Sequence, residues 1–174
     1  GDIMYDVSLY YKEKMVKPNW FDALNLNNFI LCTIHRAENT DEKTKLANIF
    51  KGLGLSNKNI ILPLHPRTVN KIKEHKINLP ENIKIVEPVG YLEMVWLEVH
   101  SDLIVTDSGG VQKEAYFHGK YCVTLREETE WVELVDQGLN QLVGYNADLI
   151  LESIKSYNKD AIESKGIYGQ GTTA

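Results

Sequence analysis

The sequence predicts an α/β domain with a mostly parallel, doubly wound, Rossmann-like sheet, and three observations carry that reading. Short apolar runs of strand length recur at Phe29–Ile34, Asn59–Leu64, Ile83–Val86, Asp102–Thr106 and Tyr121–Leu125. Segments with helical spacing separate them, and strands alternating with helices imply right-handed βαβ units. His35, Arg36, Glu38, His65, Arg67, Ser108, Glu114, Arg126 and Glu130 all follow the carboxyl ends of these runs. That edge is where open α/β sheets bind ligands.

In order along the chain, residues 1–16 are expected to form a core-docking helix, because Ile3, Met4, Val7, Tyr10, Tyr11 and Met15 recur at helical spacing. Pro18 interrupts the pattern, and the Asn-rich end of Trp20–Asn28 suits a loop. The first strand, Phe29–Ile34, delivers His35-Arg36-Ala37-Glu38-Asn39, after which Thr40 or Asp41 is expected to cap the next helix. The second strand ends in His65-Pro66-Arg67, with a helix over Val69–His75. Ile83–Val86 leads through a turn at Glu87–Gly90 to an amphipathic helix over Tyr91–Val99. Asp102–Thr106 runs into Ser108-Gly109-Gly110 and a helix to about His118. Tyr121–Leu125 is the fifth strand, Asn140–Gly144 a candidate sixth, and Asp148–Ser156 a closing helix.

Composition bounds the function. At 174 residues and 43% hydrophobic content, the chain is long enough for one well-buried domain over residues 1–174, with no repeat, low-complexity tract or linker dividing it. A net charge of -5 and a pI near 5.6 exclude bulk attraction to nucleic acid or to an anionic membrane, so any bound anion must be met by placed groups. Cys32 and Cys122 lie in apolar runs without metal-ligand spacing, and read as buried thiols of a reducing compartment. No metal site is expected from Glu127, Glu128 and Glu130, because no Asp or His completes an ordered ligand set. No signal peptide opens the sequence, and no run approaches the roughly 20 apolar residues of a membrane span, so a soluble cytoplasmic protein is expected. Gly1 in the place of an initiator Met is what a fragment or a processed chain is expected to show.

Each candidate residue has two readings at this level. Ser108-Gly109-Gly110 is either a tight turn with a Ser cap or a phosphate site at a helix N-terminus. Glu114 is either a solvated acid or, one turn inside that helix, an acceptor for two ribose hydroxyls. His35 is either a satisfied loop histidine or a site residue, and Arg36 with Glu38 is either a surface pair or part of the cleft. His65-Pro66-Arg67 also suits a stiff strand-to-helix turn. Arg126 either pairs with Glu127 or Glu128 or grips phosphate through its planar fork.

Thr33-Ile-His-Arg-Ala-Glu-Asn39, Pro63-Leu-His-Pro-Arg67, Glu87-Pro-Val-Gly-Tyr91-Leu, Thr106-Asp-Ser-Gly-Gly-Val-Gln-Lys-Glu114-Ala and Leu125-Arg-Glu-Glu-Thr-Glu-Trp131 together resemble the non-hydrolysing UDP-N-acetylglucosamine 2-epimerases. The likeness covers essentially the whole chain. Tyr168-Gly-Gln-Gly171 is also similar to the family's Tyr-Gly-Asp-Gly turn, with Gln170 at the usual Asp.

The resemblance implies one half of a glycosyltransferase-B type enzyme, in which two Rossmann-like domains hold UDP-sugar between them. This chain resembles the carboxy-terminal, UDP-binding half, with the amino-terminal catalytic half and the final helix absent. The family interconverts UDP-GlcNAc and UDP-ManNAc by C2 deprotonation with elimination of UDP, followed by re-addition. It uses no cofactor, and the full-length protein is expected to be a homodimer.

By the family's pattern, Ser108 and the Gly109 and Gly110 amides bind phosphate, and Glu114 holds the ribose. His35 assists departure of UDP, while Tyr91 and Met94 line the uracil pocket. Arg36, Glu38, His65, Arg67, Arg126 and Glu130 belong to the cleft or to the allosteric substrate site of some members. Trp131-Val132 stands where many members carry Arg-Pro, which removes a phosphate-facing Arg. The resemblance leaves three alternatives open: a glycosyltransferase of the same fold, a hydrolysing epimerase, or a non-enzymatic nucleotide sensor.

Overall fold

The structure, a computed structural model, describes residues 3–157. Helix α1 spans Ile3–Lys12, and a 3-10 turn follows at Asp22–Leu24. Six strands, β1 (Ile30–Thr33), β2 (Ile60–Pro63), β3 (Ile83–Val86), β4 (Leu103–Thr106), β5 (Cys122–Thr124) and β6 (Asn140–Leu142), form one all-parallel sheet in the order β3-β2-β1-β4-β5-β6. Between them run α2 (Ala37–Thr40), α3 (Lys43–Leu55), α4 (Pro66–Glu74), α5 (Tyr91–His100), α6 (Gly109–Phe117) and α7 (Val132–Asp136), and α8 (Ala147–Ser156) follows β6. The domain is Rossmann-like, as the sequence predicts. Strand order reverses between β1 and β4, whose Thr33 and Thr106 are in register, so the connections leave to opposite sides and a crevice opens there.

Side chains alternate between the two faces of the sheet. Ile30, Cys32, Ile34, Leu62 and Val105 pack on Leu46, Ile49, Phe50 and Leu53 of α3, Ile72 of α4, and Ile150 and Ile154 of α8. Leu31, Ile61, Ile104 and Cys122 pack on Leu97 of α5 and Ala115 of α6. Full burial of one such side chain stabilises the fold by roughly 1.5–3 kcal/mol. At Gly52 a Cβ would sit 2.8 Å from the Ala147 carbonyl, so α3 and α8 approach as closely as they do only because position 52 has no side chain. Cys32 and Cys122 are free buried thiols, and burial pushes both well up, Cys122 to about 12. No helix among the described residues is long and apolar enough to cross a membrane.

Several local expectations are corrected. The first helix ends at Lys12 rather than near residue 16, and the expected loop at 20–28 contains the 3-10 turn. Neither Thr40 nor Asp41 caps α3. Thr40 turns inward on α2, where its hydroxyl donates to the Arg36 carbonyl at 3.3 Å, and Glu42 takes the N-cap position without a side-chain bond. Helix α4 begins at Pro66, earlier than Val69, because the His65 ring accepts from the Arg67 N–H and Pro is pre-set for a first helical turn. Helices α2 and α7, of four and five residues, are too short to show a period. The Tyr168–Gly171 turn lies outside the described residues.

Candidate functional site

The carboxyl edge of β1 and β4 is held together by buried side chains: the Thr33 and Thr106 hydroxyls bond to each other at 2.5 Å, and Asp107 ties the loops beyond them. Asp107 follows β4, is fully buried, and accepts from the backbone N–H groups of His35 (3.2 Å to each oxygen) and Arg36 (3.0 Å). The buried Asn39 amide donates to the same carboxylate at 3.0 Å and to the Leu125 carbonyl at 3.1 Å. The loop after β1 is thereby latched to the loops after β4 and β5. The exposed His35 ring stands with Nε2 3.9 Å from Asp107 Oδ1.

Ser108 is the N-cap of α6, with extended backbone and a hydroxyl that accepts from the Val111 N–H at 3.3 Å. The Thr106 hydroxyl accepts from the Ser108 N–H at 3.0 Å. The Gly109 and Gly110 N–H groups therefore open the helix where its dipole favours an anion. A side chain at Gly109 would collide with the Glu130 carboxylate, which stands over this first turn. Arg126 Nη1 donates to Glu130 at 3.0 Å, which corrects the expected pairing with Glu127 or Glu128: the loop folds back, so the residue four positions on faces the guanidinium. The Glu130 carboxyl is held below its usual range by its own backbone N–H first, with Arg126 adding to the effect.

Trp131 supports the turn. Its indole Nε1 donates to the Gly109 carbonyl at 2.7 Å, and Lys113 Nζ lies 4.5 Å from its ring centroid. The Thr129 hydroxyl accepts from the Trp131 N–H at 3.1 Å and donates to Gln112 Oε1 at 2.6 Å. The Asn140 amide donates to the same Gln112 oxygen at 2.9 Å. The loop after β5 is thus stitched to the first turn of α6.

Glu114, half-buried one turn inside α6, accepts from the Tyr91 hydroxyl at 2.7 Å. The Tyr91 ring meets Tyr11 of α1 edge-on at 5.0 Å between centroids. Behind them Glu98 of α5 is fully buried, with His118 Nε2 3.4 Å from its Oε1. Burial pushes both carboxyls up to about 7, the Glu98 charge adding to the effect on Glu114, and burial holds His118 down at about 4. Burial first, then the bond to Glu114, raises the Tyr91 hydroxyl.

The predicted residues divide in two. His35, Ser108, Gly109 and Glu130 meet at the crevice mouth, and Tyr91 joins Glu114. A cleft of about 500 Å³ lies beside that mouth, lined by Arg36, Glu38, Asn39, Lys45, Arg126 and Glu127 among others. Arg36 and Glu38 form an exposed 2.7 Å pair there. His65 and Arg67 end β2, one strand outward, and the His65 ring caps α4 at 3.1 Å. Met94 packs half-buried against the core on the α5 side.

Sequence reasoning passed over Asp107, Asn39, Glu98 and His118. An acid directly after a buried strand marks Asp107, and an acid between Leu97 and Val99 on an apolar helix marks Glu98. What the assembly offers is N–H groups and a hydroxyl for an anion, an acceptor for hydroxyls one turn away, and cations from Arg36 and Arg126 at the rim.

Residues 1–174 match the family model described as UDP-N-acetylglucosamine 2-epimerase. A UDP-2,3-diacetamido-2,3-dideoxy-D-glucuronate 2-epimerase from Pseudomonas aeruginosa is 45% identical over 98% of this chain and 48% of its own length. A UDP-N-acetylglucosamine 2-epimerase homolog from Methanococcus maripaludis is 46% identical over 100% of this chain and 51% of its own length. The solved structure of a Methanocaldococcus jannaschii UDP-GlcNAc 2-epimerase in complex with UDP-GlcNAc and UDP superimposes with a TM-score of 0.79. It is 36% identical and covers 94% of this chain and 52% of its own. The chain spans about half the length of the curated relatives it matches.

Proposed function

The chain belongs to the UDP-N-acetylglucosamine 2-epimerase family, and on that premise we propose that it is the UDP-binding half of a two-domain 2-epimerase of the glycosyltransferase-B type. The observation that carries the reading is the latched mouth: Asp107 ties the His35 loop to Ser108, and Glu114 follows one turn along α6. In this reading the diphosphate meets the Ser108 hydroxyl and the Gly109 and Gly110 N–H groups. The ribose hydroxyls donate to Glu114, and Tyr91 and Met94 flank the base.

Epimerisation needs the C2–H bond broken by a base and the C1–O bond broken with the electron pair leaving on UDP. The proton then returns to the opposite face of C2, and UDP re-adds at C1. Charge grows on the diphosphate as C1–O breaks, which is where helix-start N–H groups, His35 and Arg126 stabilise it most. Acid and base near C2 are assigned to the other half of the protein. This chain alone is expected to bind UDP without turning it over.

The sugar has two candidates. The 45% identity to a UDP-2,3-diacetamido-2,3-dideoxy-D-glucuronate 2-epimerase favours that acid sugar as strongly as the family name favours UDP-GlcNAc. NMR of the two-domain protein with each UDP-sugar in deuterated water tests the proposal. Deuterium entering C2 together with the C2 epimer supports it. Transfer of the sugar to an acceptor with C2 undeuterated would identify a glycosyltransferase, and release of UDP with free epimerised sugar would identify a hydrolysing enzyme. Binding of UDP with no turnover at all would identify a sensor.

A further inference from the structure

The first turn of α6 needs holding from outside, and the loop after β5 does the holding. Four backbone N–H groups are left over where this helix starts, those of Ser108, Gly109, Gly110 and Val111. The Thr106 hydroxyl takes the first at 3.0 Å, and the Ser108 hydroxyl takes the last at 3.3 Å. Gly109 and Gly110 hold the other two, the donors proposed for the diphosphate. Two adjacent glycines are the least restrained pair a chain can place there, and that freedom is lost when they grip a ligand. A stiffer residue is shut out at position 109, because its Cβ would run into the Glu130 carboxylate.

Trp131 meets that need. Its indole Nε1 donates to the Gly109 carbonyl at 2.7 Å. This carbonyl and the Gly110 N–H belong to one planar trans peptide unit and point in opposite directions, so fixing one aims the other. The carbonyl points along α6, and the N–H faces the mouth. The indole is itself held on several sides. Lys113 Nζ lies 4.5 Å from the ring centroid, and the ring packs against the cluster of Tyr5, Tyr116, Phe117 and Leu134. The Trp131 backbone N–H donates to the Thr129 hydroxyl at 3.1 Å, and that hydroxyl donates to Gln112 of α6 at 2.6 Å. Core packing accounts for the ring. It does not require the indole N–H to end on the one carbonyl whose peptide unit carries a site donor.

We propose that Trp131 is a positioning residue, whose indole N–H orients and polarises the Gly109–Gly110 peptide so that the Gly110 N–H is set for the diphosphate before nucleotide arrives. The inference rests on the diphosphate role proposed for the start of α6. An amide whose carbonyl accepts a further hydrogen bond is the stronger donor, because bonds in a chain polarise one another. A donor already aimed also loses less freedom on binding.

Trp131→Phe keeps a ring against Lys113 and the cluster and removes the N–H. Calorimetric titration of the two-domain protein with UDP and with uridine reads the effect. UDP affinity should fall about fivefold, whereas uridine, which has no diphosphate, should bind within about twofold of wild type. Unchanged UDP affinity, or an equal loss for both ligands, overturns the positioning role. NMR reads the wild type without any variant: the Trp131 indole N–H resonance should shift on saturation with UDP and stay in place with uridine. An indole resonance unmoved at saturating UDP overturns the proposal even where the variant fails to fold. Absence of UDP binding to wild type overturns the diphosphate reading itself, and the positioning role with it.

Discussion

Asp107 and Glu98 are both fully buried acids behind one binding edge, and their surroundings are opposite. Asp107 stands at the crossing of three loops and accepts from His35, Arg36 and Asn39. Glu98 stands on α5 with the His118 ring 3.4 Å from its carboxyl, and among the described residues no N–H or O–H completes a hydrogen bond to either of its oxygens. Loop ends carry unpaired backbone N–H groups that must find acceptors, whereas a helix interior has spent its own on the ladder. The same side-chain chemistry thus makes a fixed latch in one place and, in the other, a carboxyl that burial pushes up to about 7.

The largest expected effect is at the latch. Asp107→Ala strands several buried donors, so denaturant unfolding should show a loss on the order of 3 kcal/mol, with UDP binding abolished. A variant as stable as wild type would show that the loops need no latch. Next comes Glu114→Ala, which should leave unfolding nearly unchanged while UDP affinity falls by roughly 1.5–3 kcal/mol in calorimetry. Unchanged affinity would remove the acid end of the site from nucleotide binding.

The buried Glu98 carboxyl gives a pH effect of definite sign. The Glu98 carboxyl titrates near 4.5 when unperturbed and at about 7 in the fold, where burial raises it. Between those values the folded state holds more protons than the unfolded one, so this group's contribution to stability falls as pH rises and its full cost is present above 7. Glu98→Gln should therefore gain stability over wild type as pH climbs through that window, in paired denaturation curves. A difference independent of pH would contradict the assignment. The smallest effect is expected at the rim, where Glu130 occupies the approach to Gly109. Glu130→Gln should tighten UDP binding by ~0.2–1 kcal/mol, the range of an exposed charge interaction, and any weakening would make Glu130 a ligand contact instead.

What the sequence shows of this contrast depends on distance along the chain. The strands, the Ser108 cap and the His65-Pro66-Arg67 turn are legible because each rests on residues within a few positions. The bond from Asn39 to Asp107 spans 68 positions, and the contact of Thr129 with Gln112 runs against chain order, so no local spacing encodes either. Glu98 is visible only as an acid in an apolar helix, and the ring that approaches its carboxyl, His118, lies 20 positions on, past the end of α6. Trp131 shows the same limit. Its departure from the family's Arg-Pro reads as a lost contact, while in the fold its indole holds the Gly109 carbonyl of the site's first turn.

The central claim is that UDP sits on the first turns of α6, with its diphosphate at Ser108–Gly110 and its ribose at Glu114. Backbone amide NMR during UDP titration tests it most directly. The account predicts saturable shifts concentrated at Ser108, Gly109, Gly110 and Glu114 and at the latched His35 loop, with inorganic phosphate moving only the first three. Shifts confined to other elements, or none at saturating UDP, would contradict it.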